Sequence, residues 1–132
     1  MSPERVSTGP LLDKLGVAPG ARVAVLGVVD PDFRAALSDR TPDITDGPPR
    51  PDTDLIFLAA DSLAELAPIE ELQRRLKSAG AIWVVSRKGR AATLRDIEVM
   101  AMARGAGLVD NKVVAFSDTH TALRLVIPRS RR

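Results

Sequence analysis

The run Arg22-Val-Ala-Val-Leu-Gly-Val-Val-Asp-Pro-Asp-Phe33 decides the architecture. Its apolar part, Val23 to Val29, does not alternate with polar residues, the pattern of a strand covered on both faces. It runs into a turn where a dinucleotide-binding protein carries G-x-G-x-x-G, glycines that let the backbone approach a pyrophosphate at a helix N-terminus. Only Gly27 stands there, followed by two β-branched valines, Asp30 and Pro31. The strand belongs to a scaffold of the cofactor-binding kind, and the loop lacks the residues that grip a cofactor.

Two further uninterrupted apolar runs, Leu55 to Ala60 and Ala81 to Val85, repeat the pattern. Three such strands joined by long connections predict a parallel sheet between helices. Ahead of them, Leu11 to Leu15 is apolar at helical spacing and runs into Gly16, the signature of a short helix with a glycine C-cap. Phe33 to Leu37 predicts another short helix. Thr41 to Asp54 holds four prolines, a glycine and four aspartates. Few amides there can join a regular ladder, so an exposed irregular loop is expected. Ser62-Leu-Ala-Glu65 is a capping box that opens a helix reaching Ser78, interrupted near Pro68 and ended by Ala79-Gly80. Thr93 to Asp96 opens another, with Leu94, Ile97, Val99, Met100 and Ala101 on its apolar face. Val109 to Phe116, the turn Ser117 to His120, and Thr121 to Ile127 read as an antiparallel hairpin. Residues 1–10 are expected to be disordered, residues 11–128 to form one domain, and Arg129 to Arg132 a frayed basic tail.

Composition bounds the function. At 132 residues and 45% hydrophobic, the chain can bury roughly two-thirds of its unfolded surface. It has no cysteine and a single histidine, His120, which excludes disulfides, thiolate metal sites and multi-histidine centres. No apolar run approaches the roughly 20 residues that cross a bilayer. Met1 to Pro10 has no apolar core of a secretory signal. A cytoplasmic protein without membrane contact is expected. Charge is uneven: residues 1–66 carry 6 basic and 11 acidic side chains, net −5, and residues 67–132 carry 13 and 6, net +7. The two halves either attract each other within the fold or present a basic face to a polyanion such as nucleic acid. Three phenylalanines and one tryptophan offer few platforms for stacking bases.

Three stretches carry a resemblance: Leu15 to Gly27, Gly80 to Lys88, and Ala106 to Thr119 with Ala122 to Val126. Together they resemble a bacterial family, the domain of unknown function numbered three-zero-five-two, whose members are short methyltransferase-like Rossmann chains. The most telling part is Gly107-Leu-Val-Asp-Asn-Lys-Val113 followed by Asp118-Thr and Ala122-Leu-Arg124. The resemblance implies a truncated class I methyltransferase-like Rossmann fold: an α/β domain with a mostly parallel sheet and a C-terminal antiparallel hairpin. It implies no reaction. The family tends to have an aromatic residue where His120 stands, and the proline-rich segment after Arg40 is individual to this chain.

S-adenosylmethionine sites of class I methyltransferases resemble one another in a glycine-rich loop after strand one and an acid ending strand two. Here Asp30 mimics a loop acid, Asp54 precedes a strand instead of ending one, and no second strand is expected. No cofactor and no metal are therefore expected. The candidate ligand site is Ser86-Arg-Lys-Gly-Arg90, beyond the third buried strand, where open α/β sheets bind their ligands. Arg87, Lys88 and Arg90 supply cationic donors for a phosphate or carboxylate, and a helix start capped by Thr93 adds free amides. Gly27 and Asp30, after the first strand, complete the set with Ser86. The expected role is a non-catalytic module that binds a small anionic ligand or a protein partner. The alternatives are a degenerate S-adenosylmethionine-dependent methyltransferase and a nucleic-acid-associated protein.

Overall fold

The computed structural model describes residues 10–132. The elements are, in chain order, a short helix over residues 10–14 (α1), β1 (Val23–Leu26), α2 (Pro31–Arg40), β2 (Ile44–Asp46), β3 (Thr53–Ala59), α3 (Leu63–Leu66), α4 (Ile69–Leu72), β4 (Leu76–Arg87), α5 (Asp96–Gly105), β5 (Val109–Ala115) and β6 (His120–Val126). They build one six-stranded sheet, in the order β2-β1-β3-β4-β6-β5. The pairs β1/β2, β1/β3 and β3/β4 are parallel; β4/β6 and β5/β6 are antiparallel. This is the order of a doubly wound sheet without the strand outside β2, closed by a hairpin on the other edge.

The continuous apolar runs are buried on both faces, as their pattern predicts. Val23, Val25, Leu55, Phe57, Ala81, Trp83 and Val85 pack with Leu12, Leu15, Phe33 and Leu37 from α1, α2 and the turn after α1. The alternate residues Ala24, Ile56, Leu58, Ile82 and Val84 pack with Leu66, Ile69, Leu72, Val99 and Ala103 from α3, α4 and α5. Period-two alternation thus feeds two separate cores from the same strands. Trp83 is wholly buried, and its indole Nε1 donates to the Leu15 carbonyl at 3.0 Å. That bond fixes the end of α1 onto the sheet. Gly16 follows with φ +74°, the left-handed conformation a C-capping glycine adopts.

The structure corrects several local expectations. The proline-rich segment is not wholly irregular: Ile44–Asp46 forms β2, in parallel register with Val23 to Val25. Tertiary bonds hold it where propensity would not. The buried Thr41 hydroxyl donates to the Ala21 carbonyl at 2.6 Å. Arg22 reaches Asp43 Oδ2 at 3.0 Å and the Pro51 carbonyl at 2.6 Å, and its amide donates to Asp54 Oδ2. Val29 is 92% exposed, so the first strand ends at Leu26 and not at Val29. The helix of Ser62 does open on Ser62, whose Oγ accepts from the Glu65 amide at 3.2 Å, but the capping box is not completed: Glu65 Oε1 takes the amide of Asp61, one residue before the cap, at 2.8 Å. The helix breaks at Pro68 into α3 and α4 and passes through a 3₁₀ turn, Gln73–Arg75, straight into β4. Leu76 to Gly80 is strand, not helix. Ile97 is 67% exposed and contributes nothing to the core.

The C-terminal arginines are held and not frayed. Arg129–Arg131 forms a 3₁₀ turn. Arg131 Nη1 donates to the Gly107 carbonyl and, at 3.2 Å, to Gln73 Oε1, while Gln73 Nε2 donates to the Ala106 carbonyl at 2.6 Å. A cation thereby meets the C-terminal end of α5, where the helix dipole favours it. The expected disorder of the N-terminus falls on residues 1–9, which lie outside the described residues.

Gly80 marks a close approach of two strands. A Cβ there would lie 2.6 Å from the Asp54 carbonyl oxygen and 2.9 Å from the Leu76 side chain. Gly80→Ala is therefore expected to overpack the β3/β4 junction and to cost about 1–3 kcal/mol in chemical denaturation. A variant as stable as the parent would show that Gly80 does not press against the Asp54 carbonyl.

Candidate functional site

In a doubly wound sheet the ligand crevice lies beyond the carboxyl ends of the strands, where the strand order reverses. Here that point falls between β1, whose chain leaves toward β2, and β3 on its other side. Gly27 occupies it with φ +80°, and a Cβ there would lie 3.4 Å from Ala59 Cβ. The positive φ accounts for the glycine.

The turn after Gly27 is closed by its own side chain. Asp30 is the N-cap of α2, and its Oδ1 accepts from the Phe33 amide at 3.0 Å. Pro31 opens the helix and has no amide to offer. A carboxylate from the chain thus sits where a helix N-terminus receives an anionic group from a ligand.

Asp46 lies at the end of β2, the position for which no residue was expected. Its side chain is occupied as well. Arg34, one turn into α2, makes a two-pronged pair with it, Nη1 to Oδ1 at 2.6 Å and Nη2 to Oδ2 at 2.7 Å. The hydrogen bonds from Arg34 hold the Asp46 carboxyl below its ordinary range, and the same bonds raise the Arg34 pKa. Arg34 and Asp46 are twelve residues apart across a helix and a turn, so no local pattern announced the pair.

The six residues nominated from the sequence do not form one cluster. Asp30 and Lys88 do share a cavity of about 400 Å³ between the start of α2, α1 and the hairpin turn. Its floor is apolar, with Phe33 and Phe116, whose rings lie 4.9 Å apart and continue to Phe57 at 5.0 Å. Its charged lining is mixed: Lys14 and Lys88 against Asp30, Asp32 and Asp118. Sequence reasoning missed Lys14, Asp32, Asp118 and Phe116, because the hairpin turn and α1 come together only in three dimensions. Ser86 is buried beneath the rim and does not line the cavity. Arg87 turns the other way: its amide donates to Asp61 Oδ1 at 2.8 Å, and its Nε lies 3.9 Å from Asp61 Oδ2. Arg90 is exposed on a 3₁₀ turn, Gly89–Ala91.

The expected anion nest at the next helix is not built. Thr93 does not cap α5; its hydroxyl donates to the Asp61 carbonyl at 2.6 Å. The N-cap is Arg95, whose amide donates to Glu98 Oε1 at 2.9 Å, and the first turn carries Asp96 and Glu98. Those acids already satisfy the positive end of the helix dipole. His120 begins β6 opposite Arg87, and its Nδ1 lies 2.8 Å from Thr119 Oγ1.

No protein-family profile matches the chain, and no curated protein sequence matches it. Solved structures do. A SAM-dependent methyltransferase from Aquifex aeolicus superposes with a TM-score of 0.71 at 17% identity, covering 96% of this chain and 94% of that one. Precorrin-6y C5,15-methyltransferase from Geobacter metallireducens GS-15 gives 0.62 at 16% identity, covering 94% and 87%. The O-methyltransferase NcsB1 of neocarzinostatin biosynthesis, solved with S-adenosyl-L-homocysteine and 1,4-dihydroxy-2-naphthoic acid, gives 0.70 at 13% identity. There the match covers 93% of this chain and 53% of NcsB1, so the chain spans about half the length of that neighbour. The fold is that of class I methyltransferases, in a short form: a mostly parallel Rossmann sheet with antiparallel C-terminal strands. No helix of the described residues is long and apolar enough to cross a membrane.

The Arg34–Asp46 pair sets a pH dependence. A carboxyl whose pKa is depressed in the folded state adds stability above its unfolded pKa and loses it as pH falls through the folded value. In a carboxyl-carbon NMR titration Asp46 is expected to titrate below about 3.9, the value of a free aspartate. Arg34→Ala is expected to return it to that value. A midpoint that Arg34→Ala leaves unmoved would show that the pair does not form in solution.

Proposed function

We propose that this chain is a non-catalytic binding module built on a methyltransferase scaffold, with its ligand in the cavity between α1, α2 and the hairpin turn. One observation carries the reading: the two points where a nucleoside cofactor would meet the sheet edge are filled from within. Asp30 takes the Phe33 amide, and Arg34 takes both oxygens of Asp46. A ribose approaching Asp46 would have to break a charge-assisted, two-pronged pair, the strong kind of hydrogen bond. A phosphate or carboxylate approaching α2 would meet Asp30 and Asp32 instead of free amides.

The cavity itself has the size of a small-molecule site. Its lining refines the anionic ligand expected from Arg87, Lys88 and Arg90. Two lysines and three aspartates around an aromatic floor suit a molecule that carries both an amine and a carboxylate, with an apolar body between Phe33 and Phe116. Kinship with the domain-of-unknown-function family three-zero-five-two belongs to the same proposal. The residues that carry that resemblance, Gly107 to Val113 and Asp118 to Arg124, build the hairpin whose turn closes the cavity.

A second reading, a degenerate methyltransferase, is favoured by Asp46. An acid ends β2 after all, and Gly27 keeps the positive φ of a cofactor turn. The structural neighbours are methyltransferases. Calorimetric titration with S-adenosylmethionine and S-adenosylhomocysteine separates the two readings. The parent chain is expected to give no saturable heat with either; micromolar binding would establish the second reading in place of the first.

The cavity is tested with L-phenylalanine, whose ring matches the floor and whose charged groups match Lys88 and Asp30. Amide shifts in a ¹H–¹⁵N titration are expected to concentrate at Lys88, Phe116 and Asp118 and to vanish in Lys88→Glu. Shifts scattered over the surface, or unchanged in Lys88→Glu, would remove the cavity from the account.

A further inference from the structure

Lys112 and Arg124 pair across the β5/β6 ladder, and Arg132 folds back onto the Ile127 carbonyl just past the end of β6. Lys112 and Arg124 are partners in the β5/β6 ladder, so two cations stand opposite each other. Like charges in that relation destabilise a sheet. Arg124 lies between Ala122 and Val126, which belong to the core under α1 and α2, and so faces that side. Its partner on β4 is Trp83. Burial, and after it the charge of Arg132, lowers the Arg124 pKa.

The remaining bonds do not neutralise these charges. Arg124 Nη1 donates to Asn111 Oδ1 at 3.3 Å, Lys112 Nζ to the Lys14 carbonyl at 2.8 Å, and Arg132 Nε to the Ile127 carbonyl at 2.9 Å. Each acceptor is neutral. Among the described residues none of the three cations lies within ion-pair distance of a carboxylate, whereas Arg22, Arg34, Arg40 and Arg50 each have one. The bulge in β5 between Asp110 and Lys112 keeps Asn111 beside Arg124.

We propose that Lys112, Arg124 and Arg132 form a phosphate-binding site, with the Asn111 amide as a further donor. Two guanidinium forks and an ammonium supply more charged donors than a single carboxylate can accept, and they match the several oxygens and higher charge of a phosphate. The phosphate comes either from a small phosphorylated molecule or from a nucleic-acid backbone.

The test uses the full chain with two probes, inorganic pyrophosphate and a single-stranded oligodeoxynucleotide, against potassium chloride at matched ionic strength. Thermal shift and calorimetry are expected to show saturable binding of at least one probe. Arg132→Gln, an exposed position that leaves the core intact, is expected to weaken it about tenfold, as loss of one charge-assisted contact does. Arg124→Gln is expected to do the same, and Arg90→Gln, on the loop after β4, to leave it unchanged. Pyrophosphate binding alone assigns a small ligand. Oligonucleotide binding that falls log-linearly with salt assigns a nucleic acid. Failure of both probes to bind, or binding that survives both cluster variants, overturns the site.

Discussion

Everything in this molecule follows from the need to cover three parallel strands on both faces. Val23 to Leu26, Leu55 to Ala59 and Ala81 to Val85 have no polar face to leave in water, so helices must lie above and below them. Parallel neighbours also require each connection to cross back over the sheet. The turns that leave β1, β3 and β4 then emerge together at one edge. That edge holds Gly27, Asp30, Asp61, Arg87 and Lys88. The two cores are unequal in kind. The α1/α2 side contains all three phenylalanines and Trp83, and the other side is aliphatic. The aromatic side holds the cavity lined by Phe33 and Phe116.

Electrostatics then decides what the edge can do. The acidic N-terminal half supplies Asp30, Asp32, Asp46 and Asp61, and the basic half supplies Arg87 and Lys88. Much of this charge is spent internally. Arg34 takes Asp46, Asp61 takes the Arg87 amide, and Asp30 takes the Phe33 amide in the first turn of α2. A similar economy holds the far edge, where Arg22 bridges Asp43 and the Pro51 carbonyl while its amide meets Asp54. Exposed pairs of this kind add little stability singly. Their effect is geometric: they fix the proline-rich segment as β2 and occupy the carboxylates of Asp30 and Asp46.

The architecture was legible because its signals are local and strong. Unbroken apolar runs name the buried strands, Ser62 and Glu65 name a helix start, Gly16 names a helix end, and the turn at Ser117 to His120 names the hairpin. What escaped depends on distant partners. β2 is three residues among prolines, and it exists because Val23 to Val25 offers it a ladder and Thr41 anchors it to Ala21. Leu76 to Gly80 has the composition of a helix end, but Gly80 pressed against Asp54 makes it strand. Thr93 looks like a cap and instead binds the Asp61 carbonyl. At the site, Asp30 and Lys88 were legible from their places after strands. Ser86, Arg87 and Arg90 share that place after a strand and two of them offer cationic donors, but strand alternation buries Ser86, Arg87 turns to Asp61, and Arg90 lies on an exposed 3₁₀ turn. Lys14, Asp32, Asp118 and Phe116 entered only through packing, and Arg34–Asp46 through a contact between helix and strand end.

The central claim is that the crevice beside Gly27 is closed by the chain's own carboxylate and guanidinium. A crystal of the protein soaked in S-adenosylhomocysteine tests it most directly. Arg34 is expected to stay paired with Asp46 and Asp30 to stay on the Phe33 amide, with no nucleoside density between them. Density for a ribose on Asp46, with Arg34 swung aside, would contradict it.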